Sequence, residues 1–364
     1  MSIEGLDNIT KILINTKDNY LYSPVAIFGL LSLLSQIVDG NTKKEILDAL
    51  SINNEEAIRL NNELMDVFNV ESFDVKSNLN ASIWLNDSLD INKDNLKDIC
   101  LKNKLEAFIG KMGSLDFDEK VHKWLNEKTN NLLKGSVSDI RTSETTYLDL
   151  FSTIYLKAAW QNPFDCCKDD IFNLSNSEKV KCKFLFESTR DYLYTSEKFK
   201  VISKSLLGCY YQMNVILPNE DIDDITIDSN LINAINGDFD NFDNKYLTLN
   251  IKIPKFNIKS EEEIISQIKM LGINEIFDAN KANFSPLTAI EKMLCVSKIN
   301  QMARVKINKK GLEAASAAMC FVCATGSYLE IPEEYDFFVD RPFIFSITRN
   351  NMPIFVGTIA NPKG

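Results

Sequence analysis

An alanine-rich stretch sets this sequence apart: Lys309-Lys310-Gly311-Leu312-Glu313-Ala314-Ala315-Ser316-Ala317-Ala318-Met319-Cys320-Phe321-Val322-Cys323-Ala324-Thr325-Gly326. After Glu313 it contains no charged residue before position 330 and no proline before position 332. Alanine has the best helix propensity, so one interpretation is a short buried helix over Leu312–Val322. The alternative is a strand, because every second residue over Leu312–Ala324 is small or apolar and would fit a tightly packed sheet. The residues of this stretch alone satisfy both patterns.

Helix signals stand near the start of the chain. Ser23-Pro24 is a typical cap followed by proline at the first helical position, and an apolar face runs on from there to Val38. Gly40 suits the C-terminal cap of that helix. The four residues over Thr42–Glu45 form a capping-box pattern, which predicts that a second helix starts there.

Strand signals dominate the later part of the chain. Phe151–Trp160 is rich in aromatic and branched residues, and apolar residues alternate with polar ones over Leu247–Ile253. Phe343–Ile347 and Ile354–Thr358 flank a short polar turn and predict a hairpin. With helices early and strands late, the fold class is α+β with large, mostly antiparallel sheets.

Composition and charge narrow the function. The 364 residues are 45% hydrophobic and 25% charged, which is the balance of a globular chain, and no linker divides them, so a single domain over 1–364 is expected. The net charge of −11 argues against a nucleic-acid partner. The sequence has no apolar run long enough for a membrane span and no signal-peptide pattern at its start. We therefore expect a cytoplasmic monomer, or one released by a route that needs no cleaved signal.

The single histidine, His122, excludes most histidine-dependent chemistry. Zinc sites with two or three histidines cannot form, and a catalytic triad would have to use His122, which lies in an amphipathic helical pattern. Eight cysteines without a leader favour free thiols, and Cys320 and Cys323 alone are a weak metal or redox signal. No enzyme activity, metal or cofactor is expected.

Taken as a whole, the chain resembles a serpin from about residue 5 to its end. Individually the matching motifs are weak, but their order and spacing are specific. They are Asn19–Pro24, Gly40–Thr42, Ile154–Phe164, Ile253–Ile258, Leu271–Ile273, Ala282–Ser285, Val296-Ser297, Gly311–Ala315, Arg341–Phe345 and Phe355–Gly357.

The resemblance implies three β-sheets, eight or nine helices and an exposed reactive-centre loop, here about 309–332. It also implies loop insertion, in which a protease cleaves the loop and the freed segment enters the central sheet as a new strand. The residues matching the hinge of the loop are small and uncharged from Ala314 onwards, which supports inhibition. The hinge set is Lys309, Gly311, Leu312, Glu313, Ala314, Ala315, Ser316, Ala317 and Ala318.

Several positions depart from the family pattern. Leu312 stands where Thr or Ser is usual, and Lys309 replaces an acidic residue that the family pairs with the lysine matching Lys255. In the shutter, the region where the central sheet opens, Gln301 replaces His and Ser152 replaces Asn, whereas Ser23 matches. Trp160 is retained in the breach, where the loop enters the sheet. A non-inhibitory serpin (a carrier, chaperone-like or storage protein) therefore remains the alternative.

The family spacing places the cleaved bond at Thr325-Gly326, and the length of the segment leaves Ala324, Ser327, Tyr328 and Leu329 as alternatives. No basic residue lies between Lys310 and Arg341, which argues against a trypsin-like target, and no Asp lies between Lys310 and Asp336, which argues against a caspase. An elastase-like or chymotrypsin-like serine protease is expected, and a cysteine protease stays open.

Two further expectations concern regulation. Oxidation of Cys320 and Cys323 could stiffen the loop, although two small apolar residues are the simpler interpretation. Heparin is not expected as a partner, because the predicted helix over Asn54–Phe68 carries four acidic residues against Arg59 alone.

Overall fold

The computed structural model describes residues 4–72, 75–131, 137, 140–208, 210–288, 294–296, 299–312 and 333–363. Within these ranges the α-helices are α1 Glu4–Leu13, α2 Pro24–Ile37, α3 Gly40–Ala49, α4 Asn54–Phe68, α5 Lys93–Asn103, α6 Leu115–Lys128, α7 Ser229–Asn236 and α8 Ile265–Met270. The strands are β1 Tyr20–Tyr22, β2 Val70–Glu71, β3 Val75–Asn86, β4 Glu106–Gly110, β5 Leu148–Ala159, β6 Cys166–Asn173, β7 Lys179–Thr195, β8 Phe199–Ser205, β9 Tyr211–Pro218, β10 Asp243–Pro254, β11 Asn257–Glu263, β12 Asn300–Asn308, β13 Gly311–Leu312, β14 Glu334–Phe338, β15 Phe343–Arg349 and β16 Met352–Ile359.

One sheet has seven strands in the order β11-β12-β13-β5-β3-β2, with β4 added beside β3. Strands β3 and β5 form its longest pair and run antiparallel from Val75↔Ala158 to Leu85↔Leu148. Strand β4 lies parallel to β3. The two-residue strand β13 is the only element that joins the β12 side to the β5 side among the described residues.

The other nine strands form one connected set in the order β1-β16-β15-β9-β8-β7-β10-β14, with β6 beside β7. The connection between β7 and β8 is narrow, since only Tyr194↔Val201 and Thr195↔Lys200 pair there. This narrow junction separates a part made of β6, β7, β10 and β14 from a part made of β1, β16, β15, β9 and β8. The mixed α and β architecture, with eight helices in the described ranges and multiple sheets, agrees with the predicted fold class.

The main core is built around α2, which packs against both β5 and β16. All but one of its residues are buried, because α1, α3 and α4 cover the sides that the sheets leave free. A second, smaller cluster lies under α6, where Trp84 stacks on Phe108 with ring centroids 4.0 Å apart. No helix in the described ranges is long and apolar enough to span a membrane.

The start of α2 agrees with the sequence, and its end does not. The side chain of Ser23 accepts a hydrogen bond from the Ala26 amide at 3.2 Å, as predicted for a cap. However, α2 ends at Ile37, and Gly40 is the first residue of α3 rather than a C-terminal cap. Thr42 lies inside α3, and its hydroxyl accepts from the distant Asn283 amide at 3.1 Å instead of capping the helix. The Thr42 hydroxyl, which the local pattern assigned to the helix cap, thus takes part in a tertiary contact instead.

Candidate functional site

The base of the predicted reactive-centre loop is already part of the seven-stranded sheet. Strand β13 is antiparallel to both neighbours, with Leu312 opposite Ile307 on β12 and Ala158 on β5. Beyond Leu312 no described residue pairs β12 with β5, so the two strands are left with unshared edges facing each other. Among the described residues, no strand therefore fills the place between β12 and β5 where an added strand would fit.

Gly311 and Leu312 fit this position for different reasons. A Cβ atom on Gly311 would stand 2.3 Å from the carbonyl oxygen of Ala158, so only glycine allows the chain to approach β5 this closely. Leu312 is 3% exposed and belongs to the main core. It also lines a small cavity with Leu156 and Val305, which flank the open part of the sheet. An apolar residue at this position, unusual for the family, is accommodated by apolar neighbours.

Trp160 fixes the turn that precedes β13. Its indole N–H donates to the carbonyl oxygen of Asn308 at 2.8 Å, and its backbone amide donates to that of Lys310 at 3.0 Å. The ring is 1% exposed and meets Phe164 edge-on with centroids 5.7 Å apart. The side chain of Trp160 thereby holds one side of the turn at the loop base, and its backbone amide holds the other.

Lys309 and Lys255, whose like charges were expected to meet, have separate surroundings. The ammonium group of Lys309 donates to the backbone carbonyl of Asp165. Lys255 is exposed, and its backbone amide donates to the carbonyl of Lys183 at 2.7 Å. A backbone carbonyl thus accepts a hydrogen bond from the lysine that this chain carries in place of the family's acidic residue.

The predicted shutter residues are not joined by hydrogen bonds of Gln301. Its side chain is 8% exposed, and neither of its amide atoms has a partner among the described residues. Ser23 is buried and caps α2, while Ser152 is half-buried on β5 opposite Ala81. Within the described ranges, the Gln301 side chain thus forms no hydrogen bond to Ser23 or Ser152.

Sequence reasoning missed a buried ion pair beside Trp160. The ammonium group of Lys204 on β8 pairs with the carboxylate of Glu187 on β7, and both side chains are under a tenth exposed. The Lys204 nitrogen also lies 4.6 Å from the Phe164 ring centroid and 5.7 Å from that of Trp160. Both residues occupy inward-facing positions of their strands, and a charged residue at such a position is the signal from which sequence analysis could have found the pair.

Burial controls the ionisation of this pair. Loss of hydration raises the pKa of Glu187 and lowers the pKa of Lys204, although each charge favours the other. The pKa of the neighbouring Asp191 carboxyl is raised by burial too. A polar cleft lined by these groups and by Gln161 and Ser203 leads to the pair. The titratable Lys204–Glu187 pair thus lies next to Trp160, the residue that holds the loop base.

Other predictions fall on residues in different places. His122 lies on α6 with a ring nitrogen 2.7 Å from the Ile140 carbonyl oxygen, which is a structural contact. Within the described ranges no cluster of His, Cys, Asp and Glu could hold a metal ion. The remaining predicted residues lie outside the described ranges. They are the hinge residues Glu313, Ala314, Ala315, Ser316, Ala317 and Ala318, the loop cysteines Cys320 and Cys323, and the reactive-bond candidates Ala324, Thr325, Gly326, Ser327, Tyr328 and Leu329.

Comparisons with known proteins agree on one family. A family model described as serpin (serine protease inhibitor) matches residues 7–362. A serine protease inhibitor of Cyanea capillata is 28% identical, and the match covers 94% of this chain and 92% of that protein.

Solved structures show the same fold. The native structure of tengpin, a thermophilic serpin, has a TM-score of 0.83 at 22% identity and covers 99% of this chain and 92% of that one. Human thyroxine-binding globulin in complex with its ligand has a TM-score of 0.79 at 19% identity, with 99% of each chain covered. The structural likeness therefore establishes the architecture and leaves the activity open. Since the family model spans nearly the whole sequence, the chain belongs to the serpin family, whose members are generally protease inhibitors.

Proposed function

We propose that this protein is a suicide-substrate inhibitor that traps an elastase-like or chymotrypsin-like serine protease as a covalent acyl complex. The observation that carries the proposal is strand β13. It starts the insertion of the loop, with Gly311 and Leu312 held between β5 and β12 and with no described residue pairing those strands further on.

Extending the register of β13 gives the expected product. Positions 314, 316 and 318 would follow Leu312 on the core-facing side and stand opposite Val305, Ala303 and Gln301 of β12. On β5 the same positions would stand opposite Leu156, Ile154 and Ser152. Ala314, Ser316 and Ala318 are small enough to enter without overpacking the core. About ten further residues gaining ladder hydrogen bonds at roughly 1 kcal/mol each would give on the order of 10 kcal/mol.

The target protease would supply the catalytic groups for the covalent step. Its serine oxygen attacks the carbonyl carbon at the reactive bond, the peptide C–N bond breaks, and the new amine leaves with a proton, so that an ester joins the two proteins. Insertion then moves the ester to the far end of the sheet. Pulling the protease away from its oxyanion hole would slow hydrolysis, since losing a single donor there costs roughly 100- to 1000-fold in rate.

The test is incubation with pancreatic elastase and with chymotrypsin, followed by a denaturing gel and by mass spectrometry of the released C-terminal peptide. An SDS-stable band near the summed masses is expected, and the peptide mass identifies the cleaved bond. Ala314→Arg, which places charge on the inserting face, should be cleaved without forming that band. The matched control Ala315→Arg, on the opposite face, should still form it.

Cleavage of the wild-type protein without an SDS-stable band by either protease would contradict the proposal for those targets. Heating the cleaved protein then separates the two remaining explanations. A large rise in its melting temperature means that the loop inserts and that the protease was wrong. No rise means that the protein is a non-inhibitory serpin, such as a carrier.

A further inference from the structure

The buried Lys204–Glu187 pair lies next to the turn that leads into β13 and the reactive-centre loop. The Lys204 nitrogen lies 4.6 Å from the ring centroid of Phe164 and 5.7 Å from that of Trp160. The backbone amides of Phe164 and Trp160 donate to the two carbonyl oxygens of the turn 309–310, at 3.1 and 3.0 Å respectively. The two rings that cover the ammonium group therefore belong to the residues that hold the turn.

The backbone makes a second connection between the ion pair and the turn. Beside Lys204, the carbonyl oxygen of Ser205 accepts a hydrogen bond from the Gln161 amide at 3.0 Å. The amide of Leu207 donates to the carbonyl oxygen of Ala159 at 2.8 Å. A movement of the lysine is thus transmitted to the loop base through the end of β8 as well as through the rings.

The charges that face Lys204 come from several parts of the chain. Strand β7 supplies Glu187 and Asp191, and the segment between β5 and β6 supplies Asp165. In the turn, the ammonium group of Lys309 donates to the backbone carbonyl of Asp165. Strand β10 contributes only apolar side chains to the cleft beside the pair. Three carboxylates therefore face one buried ammonium group, and Glu187 is the carboxylate that pairs with it.

We propose that the Lys204–Glu187 pair is a pH-dependent latch on the base of the reactive-centre loop, and that the latch loosens as the pH falls. Protonation of Glu187 removes the charge that holds the ammonium group beside the rings, and a buried ammonium group without a carboxylate is costly. The other two carboxylates, Asp165 and Asp191, lie nearer to the surface than Glu187.

The lysine then extends through the cleft towards the exposed carboxylates and water, as its flexible stem allows. Phe164 and Trp160 lose its support, and their hydrogen bonds to the turn open more often. The proposal concerns the loop base itself and does not require that the protein traps a protease.

Amide hydrogen exchange of the full chain at pH 5, 6, 7 and 8 tests the latch, with each rate divided by the intrinsic exchange rate at that pH. Protection of the Trp160 and Phe164 amides should fall at least about tenfold from pH 8 to pH 5. The midpoint should lie above 4.5, the ordinary pKa of a glutamate, because burial raises the pKa of Glu187. Constant protection of these amides overturns the proposal, as does an equal fall along β15, which would show global opening.

Matched variants separate the latch from a purely structural role. Glu187→Gln cannot ionise, so protection at the loop base should be low at every pH. Lys204→Met/Glu187→Leu keeps apolar support for the rings, and protection should be high at every pH; a wild-type pH profile in this double variant overturns the proposal even if Glu187→Gln fails to fold. The control Glu106→Gln removes the carboxylate of the Lys128–Glu106 pair, whose N···O distance is 2.6 Å, and should keep the wild-type profile.

Asp191→Asn identifies the group that titrates. The charge of Asp191 contributes to the raised pKa of Glu187, so its removal should move the midpoint of the protection profile to lower pH. An unchanged midpoint, or loss of the transition in this variant, would mean that a carboxyl other than Glu187 controls the loop base, which contradicts the latch.

Discussion

Replacing Lys204 with Met should destabilise the native protein by an amount that depends on pH. The substitution keeps an unbranched side chain against Phe164 and Trp160 but leaves Glu187 buried without its partner. An unpaired buried carboxyl escapes the full penalty by taking up a proton. From its ordinary pKa of 4.5, protonation at pH 7 costs roughly 3.4 kcal/mol, at 1.36 kcal/mol per unit. The expected loss is therefore about 3 kcal/mol at pH 7 and under about 1 kcal/mol at pH 5.

The direction in which stability changes with pH follows from proton linkage. In Lys204→Met the folded protein holds a proton on Glu187 that the unfolded chain releases above its pKa, so stability rises as pH falls from 7. Glu187→Leu gives the opposite direction. It leaves Lys204 buried with a lowered pKa, so the folded protein lacks a proton that the unfolded chain keeps up to about pH 10.5, and stability rises with pH. The two single variants should thus diverge between pH 5 and pH 9.

Urea unfolding of the native protein at pH 5, 7 and 9 measures these effects. The double variant Lys204→Met/Glu187→Leu completes the cycle and should be as stable as the wild type or more stable by about 1–4 kcal/mol, because an apolar pair needs no hydration. Equal losses for Lys204→Met at pH 5 and pH 7 would refute the reasoning. A double variant no better than the worse single variant would refute it as well.

Three further predictions concern the open sheet. Gly311→Ala should displace β13 from the sheet, because the added Cβ would lie 2.3 Å from the Ala158 carbonyl oxygen. Hydrogen exchange at the β13 amides should become at least about tenfold faster, and an unchanged exchange rate would contradict the close contact. Gln301→Leu should raise the free energy of unfolding by about 1 kcal/mol, since neither buried amide atom has a partner in the described part of the chain; a lower urea midpoint would show a partner outside it. Leu312→Glu should still be cleaved by elastase but should not form the SDS-stable complex, because a carboxylate cannot replace a side chain that is 3% exposed. A normal yield of complex would count against insertion through β13.

The sequence predicted the helices and strands that are determined by interactions between neighbouring residues. Ser23-Pro24 starts α2 because the cap and the proline act on the next turn of the same helix. The hairpin of β15 and β16 and the alternating strand β10 also follow from neighbouring residues. Thr42 failed as a cap because Asn283, far away in sequence, occupies its hydroxyl.

The candidate site was predicted mainly through the family resemblance. Trp160 hydrogen-bonds to the turn at the loop base, although 148 residues separate it from Asn308, so local patterns alone could not bring the two together. The Lys204–Glu187 pair joins residues from separate strands. Periodicity can assign a residue to a face of a strand, but it does not reveal which strands become neighbours. The chemistry of this pair therefore required the folded chain.

The three tryptophans give this protein a built-in optical readout of how its central sheet opens. Trp160 is bonded to the turn at one end of the gap, whereas Trp84 and Trp124 lie in the cluster under α6. Selective replacement by Phe would leave emission from one region at a time. Stopped-flow mixing with a protease would then time the disturbance at the loop entrance against that beneath α6. The order of those two signals would establish whether the sheet opens progressively or all at once.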